Sequence, residues 1–457
     1  MNSHNNMKHF AAAAFLILAM LRGVLHSSQA IKHETFDVRH HLSTVTRYDV
    51  VRDIVDNSFV PSEIPEQCTP IHLNLLARHG TRAPTKKKMK ALEALSVNME
   101  TLVQAAKENK LSLQKIPSWI WGWRSPWKGK LKGGELISEG EKELYNLGIR
   151  IRERFPALFN EEYHPDAYKI KATQIPRVSA SAVAFGLGLF GDSGGLGSGH
   201  HRAFAVSSES RASDTMLRFH DCCQNYKEAS LLNISDQACA MFSPSEVSLL
   251  EWTDDLELFM LKGYGNALNY RMGVPLLEDV IESMEQAIKA KDEQRVPGSY
   301  EKARLRFSHA ETLFPFSCLI GLFLEGSEFE SIKREQPLQL PPKPPQTRKW
   351  KGSIVTPFGG NNMLILYSCP VSNSSKYLVQ VLHNEHPVPV PGCNNSNICP
   401  FEVFKERIAA PHLKHDYNRV CNAQLKPLKQ KSSLTTRIFS WLFANDNVNA
   451  QSYDFDL

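Results

Sequence analysis

No run of apolar residues approaches the ~20 that a membrane-spanning helix needs. The longest is the twelve residues from Phe10 to Leu21, so a polytopic membrane protein is excluded. Neither sign of charge dominates. Lys plus Arg is 53 against 48 for Asp plus Glu, and a net charge of +5 is too small for general nucleic-acid binding. The nine cysteines contain no Cys-x-x-Cys pair and no matching His spacing, which argues against zinc. The glycine-rich turn from Gly191 to Gly199 lacks the Gly-Lys-Ser/Thr ending of a P-loop, so nucleotide binding there is not expected. No repeat of 20–50 residues is visible. With 42% hydrophobic and 22% charged residues in 457, the composition is that of an ordinary globular protein.

The N-terminus reads as an export signal. Lys8 precedes the short apolar run, and Ser28-Gln29-Ala30 supplies small residues for cleavage after Ala30. Residues 1–30 are therefore expected to be a signal peptide, with no stable membrane anchor. Sequons at Asn233, Asn373 and Asn394 offer glycosylation sites. In an oxidising compartment most cysteines pair. Cys318, inside the apolar stretch Phe314 to Leu324, is the candidate for the thiol left over.

The hydrophobic pattern predicts an α/β chain. Ile71, Leu73 and Leu75 alternate with His72 and Asn74, as in a half-buried strand. The segment 31–62 before it reads as loosely structured. From Lys86 to Lys107, the positions Met89, Leu92, Leu95, Met99, Leu102 and Val103 recur at helical spacing. Tyr168 to Ala172 and Leu305 to Phe307 read as further strands, each followed by a helix-prone segment. Residues 186–295 are mostly helical in pattern and suggest an inserted lobe. Pro337 to Pro345 holds five prolines and reads as an extended linker, and the tail from 426 to 457 as flexible. Trp119, Trp121, Trp123 and Trp127 form the densest aromatic cluster, expected to be a packed corner.

Three loops carry the chemistry. In Arg78-His79-Gly80-Thr81-Arg82, two arginines flank a histidine at a strand end. Their forked guanidinium groups can hold a tetrahedral oxyanion, with the imidazole placed to attack it. Gly80 lets the backbone come close. The second loop holds Arg177 and the third His309-Ala310-Glu311. Loops at the C-terminal ends of strands are where open α/β sheets collect their sites. Lys86, Lys87, Lys88 and Lys90 crowd the helix start just after the motif, a patch that attracts polyanions or simply solvates a surface.

Arg78 through Pro84, as Arg-His-Gly-x-Arg-x-Pro, resembles the signature of the histidine acid phosphatases. Where that family has a distant His-Asp pair, this chain has His309-Ala310-Glu311. That variant is similar to the multiple inositol polyphosphate phosphatases, as are residues 171–190, 203–226 and 308–316, particularly in plant members. The likeness runs over roughly residues 60–425. It implies an α/β domain with a mixed sheet, a smaller helical domain, no cofactor and no metal. It also implies that His79 is the nucleophile forming a phosphohistidine, and that Arg78, Arg82 and Arg177 bind the scissile phosphate. His309 then helps hold the phosphoryl oxygens. Glu311 protonates the leaving alkoxide and afterwards activates water, with Thr312 beside it as a weaker alternative. Arg211, in a second strand-then-arginine pattern, is left between another substrate phosphate and a structural ion pair. Lys86 is a candidate for an outer phosphate.

The resemblance implies a bond from Cys68 to a late cysteine, with Cys369 the candidate. Cys393 and Cys399 are close enough to close a small loop, while Cys222, Cys223, Cys239 and Cys421 keep their partners open. The expected domain plan is a discontinuous α/β domain, 31–185 and 296–425, with the helical insertion at 186–295. The expected substrate is a small polyanion, phytate or a lower inositol phosphate, for an exported and monomeric enzyme. A broad acid phosphatase, one acting on bisphosphoglycerate, and a catalytically silent inositol-phosphate binder are the alternatives.

Overall fold

The computed structural model describes residues 36–56, 64–109, 122–130, 132–191, 203–223, 243–296, 298–324, 348–370 and 375–422. The compact unit that carries the site begins at Arg39; of the unit before it, only residues 36–38 are described. The candidate signal peptide, the proline-rich segment, the tail, Trp119, Trp121, Asn233, Asn373 and Cys239 lie outside the described residues.

The main elements, in chain order, are α1 (Tyr48–Asp56), β1 (Thr69–Arg78), α2 (Lys86–Glu108), α3 (Ser138–Arg154), β2 (Tyr168–Ala172) and α4 (Pro176–Phe190). They continue as α5 (Pro244–Lys262), α6 (Val274–Asp292), β3 (Ala303–Ser308), α7 (Ala310–Leu319), β4 (Asn361–Ser368) and β5 (Tyr377–His383), then the short β6 (His386–Pro387) and β7 (Ile398–Pro400). The seven strands form one mixed sheet in the order β2-β3-β1-β4-β5-β6, with β7 also on β5. β2, β3 and β1 run parallel, and β4 runs antiparallel to β1.

The register aligns the strand ends. Arg78 pairs with Ser308, Ala172 with Phe307, and Ala77 with Asn361 at the start of β4. The loops after β1, β2 and β3 therefore open on one edge, beside the turn that enters β4.

Both faces of the sheet are covered. Leu73, Leu75 and Ala77 of β1 share a core with Leu144 and Leu147 of α3 and Val178 and Phe185 of α4. Leu76 lies in a second core with Leu277 and Val280 of α6 and Phe314 of α7. The expectation of a half-buried strand is thus overturned: β1 is central, and His72 and Asn74 are buried too. Their polar atoms are satisfied laterally. His72 Nε2 lies 3.1 Å from Glu301, and the Asn74 amide donates to Ser283 at 3.0 Å while its oxygen accepts from Arg306. A buried polar residue with partners reads in sequence like a solvated one.

A second expectation fails at the front of the chain. Residues 48–56 are helical, with Tyr48 and Val51 buried. The Tyr48 hydroxyl donates to Glu385 at 2.8 Å and accepts from Asn361 at 2.9 Å. Among the described residues, three disulfides join Cys68 to Cys369, Cys223 to Cys421 and Cys393 to Cys399. Cys318 is a buried thiol whose pKa burial pushes up.

The first disulfide spans 301 positions of sequence and joins neighbouring strands at the edge opposite the site. Replacing Cys68 and Cys369 together by alanine is expected to cost about 2–5 kcal/mol of unfolding free energy, measurable by denaturant titration. Acid has a similar effect. Burial lowers His383 and His412 to about 4. These rings stay neutral in the fold while the unfolded chain takes up protons below ~6.5, so their stability is lost as pH falls from there towards 4. The expected loss is about 3 kcal/mol per buried ring, read from unfolding midpoints across that range.

Candidate active site

His79 is the centre. The β1 ladder continues one residue past the strand, with the His79 amide donating to the Ser308 carbonyl at 3.0 Å and its carbonyl accepting from Gly359 at 3.0 Å. The ring is fully buried. Nδ1 lies 2.8 Å from the Gly80 carbonyl. A carbonyl only accepts, so Nδ1 carries the proton and Nε2 carries the lone pair. Nε2 is buried with no hydrogen-bond partner among the described residues. Burial first, then Arg78, Arg177 and His309, hold this imidazole well below its usual pKa. The result is a neutral ring with one nitrogen free to attack.

Arg78 is buried and pinned by backbone. One guanidinium nitrogen donates to the carbonyls of Thr44 and, at 2.7 Å, Thr356. The group stacks over Phe358, 4.4 Å from its centroid. Burial lowers it to about 9, with the nearby Arg82 and Arg177 charges acting in the same direction. Arg177 itself is buried in the first turn of α4, behind Pro176. Three arginines are thus forced together and, among the described residues, no carboxylate is bonded to Arg78, an arrangement that favours an incoming anion.

The motif loop is fixed by packing. A Cβ on Gly80 would stand 2.3 Å from the Gly140 carbonyl, so the start of α3 leaves room only for glycine. The Gly80 amide donates to Ser181 of α4 at 3.1 Å. Glu143 of α3 accepts from both the Thr81 amide and the Thr81 hydroxyl, each at 2.7 Å.

The third loop faces His79. The His309 ring stands 5.7 Å from His79, edge to face. Arg218 donates to His309 Nε2 at 2.7 Å, and the Thr173 hydroxyl lies 3.0 Å from the same nitrogen. An arginine only donates, so His309 keeps its proton on Nδ1. Burial, Arg177 and Arg218 lower its pKa strongly. Arg218 is itself buried and ion-paired to Asp221.

Glu311 is ion-paired to Lys262 of α5 at 2.9 Å. Burial alone would raise its carboxyl, but the bonded Lys262 ammonium, foremost, outweighs this and holds it well below the usual carboxylate range. Thr312 is no alternative donor: its hydroxyl is buried and donates to the Leu217 carbonyl at 2.7 Å.

The sequence-derived residues His79, Arg78, Arg82, Arg177, His309 and Glu311 therefore gather at one sheet edge. Arg211 is half-exposed and shares Asp221 with Arg218, 3.4 Å away. Lys86 is exposed at the start of α2. Asn394 is exposed with a left-handed φ of 58°. Sequence reasoning missed Arg218, Lys262 and Glu143. Arg218 had a signal in the neighbouring His220-Asp221 pair, whereas Glu143 and Lys262 look like ordinary helix-surface charges.

Glu143→Ala is expected to lower kcat/KM about 100-fold, the usual cost of a displaced catalytic loop, with the circular dichroism spectrum unchanged. A wild-type rate would show that Glu143 does not position the loop.

Residues 71–239 and 233–384 match the histidine phosphatase superfamily (branch 2). Similar curated proteins include multiple inositol polyphosphate phosphatase 1 of Dictyostelium discoideum, 25% identical across 79% of this chain and 69% of that one. The protein of the same name from Homo sapiens is 24% identical across 83% of this chain and 89% of its own. Among solved structures, the D. castellii phytase superposes with a TM-score of 0.59 at 16% identity, covering 92% of this chain and 95% of that one. The Bifidobacterium longum multiple inositol polyphosphate phosphatase, in complex with inositol hexasulfate, gives 0.55 at 18%, covering 82% and 98%. By its matched sequence, this chain belongs to the histidine phosphatase superfamily, branch 2.

Proposed function

We propose that the protein removes phosphates stepwise from phytate and lower inositol polyphosphates through a phosphohistidine at His79. The observation that carries this reading is the neutral His79 ring, with its Nε2 lone pair buried and unpartnered beside Arg78 and Arg177. Relatives named for inositol polyphosphates support the substrate class.

In this reading, Arg78, Arg82 and Arg177 hold the scissile phosphate, and His309 donates to a phosphoryl oxygen from Nδ1. His79 Nε2 attacks phosphorus, the ester P–O bond breaks, and Glu311 delivers the proton to the leaving alkoxide. Glu311 then takes a proton from water, whose oxygen attacks the phosphohistidine and frees phosphate. Arg211 and Lys86 are outer contacts for other phosphates. Export agrees with the three disulfides, and we read the chain as a glycosylated monomer of the secretory pathway, bound for the cell exterior, wall or vacuole. The helical stretch 186–295 is read as an insertion into a discontinuous α/β domain.

The test is phosphate release from phytate at mildly acidic pH with chelator present. Wild type is expected to release phosphate and His79→Ala to lose about a thousandfold or more. A folded wild type that releases none overturns the reading. A preference for a simple aryl phosphate over phytate would favour a general acid phosphatase.

A further inference from the structure

Glu311 is asked to give up a proton, yet the substrate-free protein keeps it as a carboxylate. Its partner, Lys262, sits in the last turn of α5, on a different element from the phosphate-binding arginines. Both side chains of the pair are largely buried, 14% and 15% exposed. The other ionisable groups coupled to Glu311 among the described residues are bases: the neutral rings of His220, from residues 219–222, and of His309, at the head of its own helix, and the Arg78 guanidinium of β1. His220 is buried, and its Nδ1 has no hydrogen-bond partner among the described residues. Asp221, next to His220 and 3.7 Å from its ring, is ion-paired to Arg218 and Arg211. Lys262 is the only one of these bases bonded to Glu311 by a charge-assisted hydrogen bond among the described residues.

In the reading proposed above, a substrate with one phosphate fills the arginine cluster around His79 and leaves this pair intact. A substrate with several phosphates carries dianions beyond the scissile one. A phosphate dianion competes for an ammonium more strongly than a single carboxylate does. We propose that Lys262 gates Glu311: a second phosphate of a polyphosphorylated substrate takes over the Lys262 ammonium, and the released Glu311 becomes the proton donor for the leaving alkoxide. Lys262 is a positioning residue here, acting through Glu311. Freed of it, the buried carboxyl takes a proton from mildly acidic solvent, because burial then pushes its pKa upward. The selection of polyphosphates is thereby built into the chemical step as well as into binding. This inference rests on the proposed role of Glu311 in inositol polyphosphate hydrolysis.

The experiment compares wild type, Lys262→Gln and Lys262→Arg on three substrates across the acidic range. Phytate carries several phosphates; glycerol 2-phosphate carries one and needs its alkoxide protonated. p-Nitrophenyl phosphate carries one, and its leaving group needs no proton. On glycerol 2-phosphate, Lys262→Gln is expected to move the alkaline limb of the kcat/KM profile upward and to raise the rate there about tenfold. Lys262→Arg is expected to keep the wild-type profile. On phytate, Lys262→Gln raises KM, since one phosphate contact is gone, and leaves kcat within about threefold of wild type. On p-nitrophenyl phosphate, whose leaving group needs no proton, the three kcat/KM profiles are expected to coincide, since that ratio reports only the steps up to the phosphohistidine, and circular dichroism reports that the variants are folded. Superimposable glycerol 2-phosphate profiles for wild type and Lys262→Gln, with wild type active on phytate, overturn the gate alone. Equal losses by Lys262→Gln on all three substrates assign Lys262 to structure and overturn it as well. A wild type that hydrolyses p-nitrophenyl phosphate but not phytate overturns the substrate reading and the gate with it.

Discussion

The structure depends on keeping the Arg78 guanidinium buried with no carboxylate bonded to it among the described residues. Desolvating such a cation is expensive, and here the offset is assembled from dipoles, a ring and the unbonded charges of Glu311 and Glu143. The carbonyls of Thr44 and Thr356 accept from one nitrogen, and Phe358 lies beneath the plane. Neither carbonyl is local to β1. Thr44 belongs to the segment before α1, whose place is set by Tyr48 through Glu385 and Asn361, and Glu385 is in turn held by Arg150 of α3 with bonds of 2.7 and 2.8 Å. The front of the chain is therefore part of the site's support, and the anion that completes the electrostatics arrives with the substrate.

The same field sets the protonation of His79, the proposed nucleophile. Arg78 and Arg177 add to burial in disfavouring a proton on His79, while the Gly80 carbonyl fixes which nitrogen keeps the one it has. Anion binding and nucleophile activation thus have one cause. This lets an imidazole work in acid, where a solvated one with a pKa near ~6.5 would be protonated and inert. It also explains why a second histidine is tolerated so close. With Arg218 donating to its Nε2, His309 is neutral too and presents a donor at Nδ1.

Much of this was legible in the sequence, and the illegible parts share a reason. The helix α2 was readable because its apolar positions recur every three or four residues, and the Arg78–Arg82 motif because its chemistry lies in adjacent positions. β1 was misread in depth: His72 and Asn74 mimic a wet face, and only the tertiary fold supplies Glu301, Ser283 and Arg306 as partners. The segment 31–62 reads as loose although Val50, Val51, Ile54 and Val55 sit at helical spacing; nine helical residues are a weak signal until Tyr48 is anchored. Glu143 and Lys262 carried no signal, since a charge on a helix means solvent until another element is packed against it.

The replacement of an Asp neighbour by Glu311 one position further along acquires a physical meaning in this setting. Glu311 falls in the first turn of α7, where the helix dipole favours the anion, and Lys262 favours it further. Both influences suit the second half of the proposed reaction, in which a carboxylate must take a proton from water. Both oppose the first half, in which a carboxyl must give one to the alkoxide. A single residue meets both demands only if its surroundings change between the two steps. The arginines held by backbone cannot supply that change. A lysine on a flexible four-carbon stem, reaching in from a separate helix, can exchange one anion for another, so the proton is supplied when a polyanion is present and withheld when it is not.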